Sequence, residues 1–166
     1  MTRRHRSGGA RAAPSSQHTA GPLGWRWRNV PVPEAHLGVG AVGLLMTVRR
    51  PRLIAWPAAP RIGWPLIAGG VALAAWATRA AGATDLARPD RLVTSGPYGR
   101  SRHPMYVAWT AIFLGLACVI RTAWLVRLMP LLAVLIHRET RREEERLADA
   151  FGTSYHAYQA RVRRYM

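Results

Sequence analysis

The chain has 166 residues, the size of one ordinary domain, and its 24 basic residues outnumber 8 acidic ones, giving a formal net charge of +16. Every basic residue is an arginine, and the one cysteine, Cys118, excludes an intrachain disulfide framework or a cysteine-based metal site. The arginines flank apolar stretches and do not form one stripe, which favours anchoring at anionic lipid head groups over nucleic-acid binding.

The first 28 residues differ in composition from the rest of the chain. They are rich in Gly, Pro, Ser and Arg, and they contain too few apolar side chains to offset the entropy of ordering. No apolar stretch follows the first arginines, as a cleavable signal peptide requires. We predict a disordered, basic, cytosolic tail over residues 1–28 and one membrane domain over residues 29–166.

Four apolar segments follow the tail, near residues 35–48, 62–78, 105–120 and 123–136. Each is shorter than the roughly 20 residues of a straightforward spanning helix, so flanking arginines have to snorkel to complete the spans. In the fourth segment, Arg127 and Pro130 predict a kink or a later start. The sequence therefore predicts an all-α, polytopic membrane protein with about four transmembrane helices.

The distribution of arginines predicts the orientation of these spans. Of the 24 arginines, 18 fall in the tail, the central loop and the C-terminal region, and six fall in the other two loops. Because positive residues are enriched on the cytoplasmic side, both termini are expected there, in a multi-pass protein of a bacterial-type cell membrane. Four of the six opposing arginines lie in the first loop, against this trend.

Beyond residue 136 the sequence is charged but lacks Gly and Pro until Gly152. This pattern predicts that the fourth helix continues into the cytosol and ends at Gly152 as a C-cap. A second short helix over about residues 154–163 then carries Tyr155 and Tyr158 on one face. The C-terminal cytosolic helices are accordingly expected over residues 137–164.

Two polar stretches are candidates for chemistry. In the loop before the third span, Pro104 suits the first turn of a helix, and Arg102 and His103 with the free backbone N–H groups of that turn suit a carboxylate ligand. In the charged helix, Glu143 and Glu144 are acids within a basic sequence, and Glu144 shares a helix face with residues 137, 140 and 141. Taken singly, such features are commonly a turn, a helix cap and a solvated face.

Together, the two stretches form long spaced patterns in a fixed order. Residues 96–106 read Gly-Pro-Tyr-x-x-x-Arg-His-Pro-x-Tyr. The second pattern is an acidic pair followed by spaced apolar, aromatic and basic residues, at Glu143, Glu144, Leu147, Phe151, Gly152, Tyr155, Tyr158, Val162 and Arg164. In both patterns the chain resembles the isoprenylcysteine carboxyl methyltransferase and phospholipid methyltransferase superfamily.

This resemblance implies a multi-helix membrane fold that encloses S-adenosylmethionine, with no metal and no Rossmann glycine fingerprint. The cofactor-binding residues that it implies are Gly96, Pro97, Tyr98, His103, Pro104, Tyr106, Glu143 and Glu144. The methyl acceptor is expected to be lipophilic, an isoprenylcysteine-type carboxylate or a related lipid group, at the inner membrane face. The family's proline after the valine near the C-terminus is missing here, because Arg163 follows Val162.

The catalytic residues expected on this basis depend on the acceptor. A carboxylate is already ionised at neutral pH and needs only a cation such as Arg102 or Arg142 to hold it. An amine or thiol has to lose a proton, for which Glu144, Glu143 or His103 is the candidate base. Arg138 and Arg141 are further candidates for the arginine ahead of the acidic pair. A membrane reductase of the steroid-reductase type and a non-catalytic membrane protein of the same fold remain alternatives.

Overall fold

The computed structural model describes residues 33–82, 84 and 90–165, and the predicted tail over residues 1–28 lies outside them. The described chain is helical, and β-pairing within it is limited to two isolated bridges. The predicted all-α class is therefore confirmed. The elements in chain order are α1 (Glu34–Arg49), α2 (Ala59–Ala81), a 3-10 turn (Gly96–Gly99), α3 (Pro104–Val119), α4 (Ala123–Arg127) and α5 (Met129–Arg161).

The first three helices coincide with the first three apolar segments of the sequence, whereas the fourth segment is not one helix. It divides at Leu128 into α4 and α5, and Pro130 lies in the first turn of α5, where its missing N–H costs nothing. The later start that Arg127 and Pro130 predicted is thus observed. Among the described residues, no helix combines the length and the apolar character needed to cross a bilayer.

Glycines bring α2 and α3 into close antiparallel contact. A Cβ at Gly115 would lie 2.6 Å from the carbonyl oxygen of Gly63, and a Cβ at Gly70 would lie 2.7 Å from that of Ala108. From Gly63 to Gly70 the chain moves forward along α2, while the residues that it contacts move backward along α3, from Gly115 to Ala108. The two helices are therefore antiparallel. Because Gly63, Gly70 and Gly115 carry no side chain, the two backbones approach directly, and α3 packs mainly on α2.

At the far end of α3, the loop after α1 pairs with the loop after α3. The amide of Ile54 donates to the carbonyl of Arg121 at 2.7 Å, and the amide of Ala123 donates to the carbonyl of Arg52 at 2.8 Å. These bonds join the C-terminal ends of α1 and α3. Consequently α1 and α3 run towards this end, and α2 and α5 run away from it.

A buried apolar cluster joins α1, α3, α4 and α5. Its members are Val39, Phe113, Ala117, Leu125, Leu132 and Ile136. Helix α5 packs on α1 and α4, while α3 packs mainly on α2, so α3 and α5 flank a gap. This gap positions the candidate site.

Helix α5 is interrupted at Gly152, as the sequence predicted. Gly152 has φ 50° and ψ −124°, a conformation that residues with a side chain avoid. The last part of the helix therefore turns, and both Tyr155 and Tyr158 are buried. The hydroxyl of Tyr158 donates to the carbonyl of Tyr98 at 2.7 Å, which joins the end of α5 to the loop before α3. Burial raises the pKa of Tyr158 to about 12, so the donor is the neutral phenol.

Candidate functional site

The loop before α3 is held in one shape by its own backbone. Gly96 has φ 61° at the start of the 3-10 turn, and the carbonyl of Pro97 accepts from the amides of Arg100 and Ser101. His103 precedes Pro104 in a non-helical conformation, as expected before a proline. The amide of His103 donates to Oγ of Ser101 at 3.2 Å. The loop thus presents Arg102 and His103 together at the start of α3.

The two polar stretches of the sequence meet at Glu144. Its Oε1 lies 3.2 Å from Nε2 of His103 and 3.3 Å from Nη2 of Arg102. Both of its oxygens also accept from the guanidinium of Arg164, at 3.0 and 2.6 Å. Among the described acidic residues Glu144 alone is buried, with 5% of its surface exposed.

Three cationic or hydrogen-bonding partners keep this carboxylate ionised. Burial by itself raises the pKa of Glu144, but the hydrogen bond from Arg164, the charge of Arg102 and the hydrogen bond with His103 outweigh it and hold the pKa below 4.5. The same hydrogen bond raises the pKa of Arg164. Glu144 is therefore an anchor for Arg102 and His103 and a poor proton acceptor.

The C-terminal segment closes the site from the other side. The amide of Arg102 donates to the carbonyl of Arg163 at 2.9 Å, and Oγ of Ser101 donates to the carbonyl of Arg164 at 3.2 Å. The hydroxyl of Tyr165 lies 2.9 Å from Oγ1 of Thr140 on α5. This segment ties the loop before α3 to α5. The second sequence pattern includes Arg164, but nothing in the sequence singled out Tyr165 or Ser101.

Glu143 occupies a different environment from its neighbour. Its Oε2 lies 3.5 Å from Nδ1 of His103, and 39% of its side chain is exposed. Each ring nitrogen of His103 thus faces a carboxylate oxygen. Nε2 faces the buried Glu144, and Nδ1 faces the partly exposed Glu143, which is open to a ligand. Of the acidic pair, Glu143 is the member that is free to take a further partner.

A cavity of about 780 Å³ lies between α3 and α5, next to this cluster. At the end nearest His103, it is bordered by Tyr106, His137, Arg138 and Tyr165. Tyr106 and Tyr165 also contact the imidazole of His103, with ring centres 5.8 and 6.4 Å away. The rest of the wall is mostly apolar and is formed by Leu66, Val107, Thr110, Ala111, Leu114, Met129, Ala133, Val134 and Ile136.

The predicted site residues fall into three groups. Tyr106 lines the cavity, and Arg102, His103, Glu143 and Glu144 form the polar cluster beside it. Pro97, Tyr98 and Pro104 are buried, and with the turn residue Gly96 they belong to the loop and helix start that carry Arg102 and His103.

Arg142 is the exception, because the structure does not bring it to the other predicted residues. Its side chain is 67% exposed and pairs with Glu139 at 3.6 Å, one helical turn away. The side chain of Arg141 is 62% exposed and pairs with Glu145 at 3.8 Å. Arg138, the third arginine ahead of the acidic pair, lines the cavity. The three arginines point in different directions around α5, and their sequence spacing alone did not show which one faces the cavity.

The sequence model of the phospholipid methyltransferase family matches residues 59–154, more than half of the chain. The chain belongs to this family, which confirms the resemblance found in its two patterns, and the family points to methyl transfer as the activity. No curated protein and no solved structure matches the chain.

Proposed function

We propose that this protein is an S-adenosylmethionine-dependent methyltransferase whose lipophilic acceptor lies between α3 and α5, at the inner face of a membrane. One observation carries the proposal. The polar cluster around Glu144, built from the two family patterns, directly adjoins an apolar cavity of about 780 Å³. Such a junction suits a water-soluble cofactor at one end and a lipid chain at the other.

The outer surface of the helices supports a membrane location. Large apolar side chains are exposed along α1 and α2, beyond what a soluble monomer usually presents. They are Leu37, Val42, Leu44, Leu45, Met46, Val48, Ile62, Trp64, Val71 and Trp76. We propose that lipid covers these faces and that α1, α2, α3 and the combined α4–α5 segment cross the bilayer with both termini in the cytoplasm.

The polar cluster fits the charged groups of S-adenosylmethionine. In the described part of the chain, Nε of Arg102 is buried without a hydrogen-bond partner, so it has a free N–H for a carboxylate. Glu143 offers a half-exposed carboxylate for an ammonium group or a pair of ribose hydroxyls. Bound here, the cofactor supplies an electrophilic methyl group on a sulfonium sulfur. Glu144 acts indirectly, because it holds Arg102 and His103 in position.

Arg138 is the cation best placed to hold an acidic acceptor. It lines the cavity and makes no ion pair with the described residues, in contrast to Arg141 and Arg142. A carboxylate acceptor would be ionised at neutral pH and would need only this charge-assisted contact. The apolar walls then exclude water and align the acceptor for in-line displacement. For an amine or thiol, Glu143 or His103 is the available base.

The test uses purified full-length protein in lipid vesicles with methyl-labelled S-adenosylmethionine and a membrane lipid extract. We expect S-adenosylhomocysteine and label in an organic-soluble product. His103→Ala should abolish both.

Arg138→Gln should raise the KM for an acidic acceptor on the order of tenfold, because it removes one charge-assisted hydrogen bond. Arg141→Gln is the matched control on the exposed face, and no S-adenosylhomocysteine from the wild-type protein would contradict the proposal.

A further inference from the structure

The end of the molecule opposite the Glu144 cluster gathers four arginines. The paired loops at the ends of α1 and α3 bring together Arg50, Arg52, Arg121 and Arg127, about 24 Å from the start of α3 along its axis. None of them makes an ion pair with the described residues. All ion pairs in the described part of the chain lie between residues 102 and 164, at the other end.

Two of these arginines, Arg52 and Arg127, lie over the ring of Trp124. The guanidinium carbons of Arg52 and Arg127 lie 6.0 and 5.6 Å from the centre of its ring, within the range of cation–π attraction. The indole itself is fixed, because its Nε1 donates to the carbonyl of Arg50 at 2.7 Å. Two positive charges on one ring repel each other, and a shared anion would convert that repulsion into attraction.

The backbone is strained at the same place. Arg121 has φ 53°, which residues with a side chain rarely adopt, and its guanidinium donates twice to the carbonyl of Ile54, at 3.2 and 3.0 Å. Strained conformations of this kind persist where the surrounding contacts enforce them, commonly at ligand sites. The hydrogen bonds between Arg121 and Ile54 hold the loop that carries Arg52 and enforce this conformation.

The border of this cluster is apolar and exposed. Leu53 and Val126 are the sequence neighbours of Arg52 and Arg127, and Trp56 lies further along the loop that carries Arg52. All three present much of their surface to the surroundings. We infer that Arg52 and Arg127, stacked on Trp124, bind the phosphate of an anionic membrane lipid whose acyl chains lie along these side chains. Guanidinium groups suit phosphate oxygens because they donate in pairs. None of these residues lines the cavity between α3 and α5, so the inference is independent of methyl transfer.

The test measures lipid binding by native mass spectrometry on the full-length protein in a zwitterionic detergent. Phosphatidylglycerol and phosphatidylcholine with the same acyl chains are the probes. We expect phosphatidylglycerol to bind more tightly, and the double variant Arg52→Gln/Arg127→Gln to weaken it about tenfold or more, because two cations near the head group are lost. The variant Arg141→Gln/Arg161→Gln removes two charges at the other end and should leave the binding unchanged.

A second double variant separates the charge of the two arginines from the planar shape of their guanidinium groups. Arg52→Lys/Arg127→Lys keeps both charges but loses the planar stacking, and we expect it to bind phosphatidylglycerol more weakly than the wild-type protein. Equal binding of both lipids would overturn the inference, as would equal losses in the two glutamine variants. Full displacement of the lipid by millimolar inorganic phosphate would show an ion site and not a lipid site.

Discussion

At the scale of single residues, Glu144 determines the geometry of the polar cluster. It accepts from Arg164 through both oxygens, and it holds Arg102 and His103 at 3.3 and 3.2 Å. A carboxylate so placed has a pKa below its ordinary value of 4.5. Its ionised form therefore stabilises the folded state at pH values above 4.5, and this contribution falls as the pH drops towards the folded-state pKa.

Glu144→Gln tests this role through the pH dependence of stability. At neutral pH we expect a loss on the order of 3 kcal/mol, because two guanidiniums keep their positions without their carboxylate. Below about pH 4.5 the difference in Tm between wild type and variant should shrink, since the wild-type carboxylate is also neutralised. Glu145→Gln, exposed on the same helix, is the control. A difference that stays constant across the pH range would contradict the assignment.

The sequence predicted that His103 and the acidic pair belong to one cofactor site, but not that Glu144 is buried against His103 while Glu143 stays partly exposed. Neighbouring residues on a helix point about 100° apart, and only the packing of α5 decides which one is buried. The same limit applies to Arg138 and Arg142, which the sequence could not separate. Tyr165 was missed because its role depends on a bond to Thr140 that spans 25 positions of the chain.

At the scale of elements, the close contact between α2 and α3 supports the wall of the cavity. Gly70→Ala would place a Cβ 2.7 Å from the carbonyl oxygen of Ala108, so we expect the helices to separate and the protein to lose about 1–3 kcal/mol. The adjacent Gly69 has no neighbour within 4 Å. Gly69→Ala should therefore stabilise the helix by about 0.5–1 kcal/mol. Thermal unfolding in detergent should give Tm shifts of opposite sign, and shifts of the same sign would contradict this packing.

Element boundaries were partly predictable from local chemistry. Gly152 and the pair of Arg127 and Pro130 marked the two interruptions of the C-terminal half, because glycine and proline act on the backbone directly. The gap between α3 and α5 was not predictable. It follows from the stronger packing of α3 on α2 and of α5 on α1 and α4, which no periodicity in the sequence encodes.

At the scale of the whole molecule, the two ends of the chain should differ in importance. Deletion of residues 1–11 is expected to leave methyl transfer in place, because that segment contains no residue of either family pattern. Tyr165→Phe should raise the KM for the acceptor a fewfold, since it removes the bond to Thr140, worth about 1 kcal/mol, from a cavity wall. Turnover in vesicles is measured at varied acceptor concentration for the deletion variant and for Tyr165→Phe. An unchanged KM in Tyr165→Phe would remove Tyr165 from the site.

The most direct measurement is equilibrium binding of labelled S-adenosylmethionine to the purified protein and to two adjacent variants of α5. The wild-type protein should bind the cofactor, and Glu143→Gln should weaken binding on the order of tenfold, because the half-exposed carboxylate beside His103 loses its charge. Glu145→Gln, whose side chain points to solvent, should bind as the wild type does. If the wild-type protein does not bind the cofactor, or if both variants behave alike, the polar cluster is not a cofactor site.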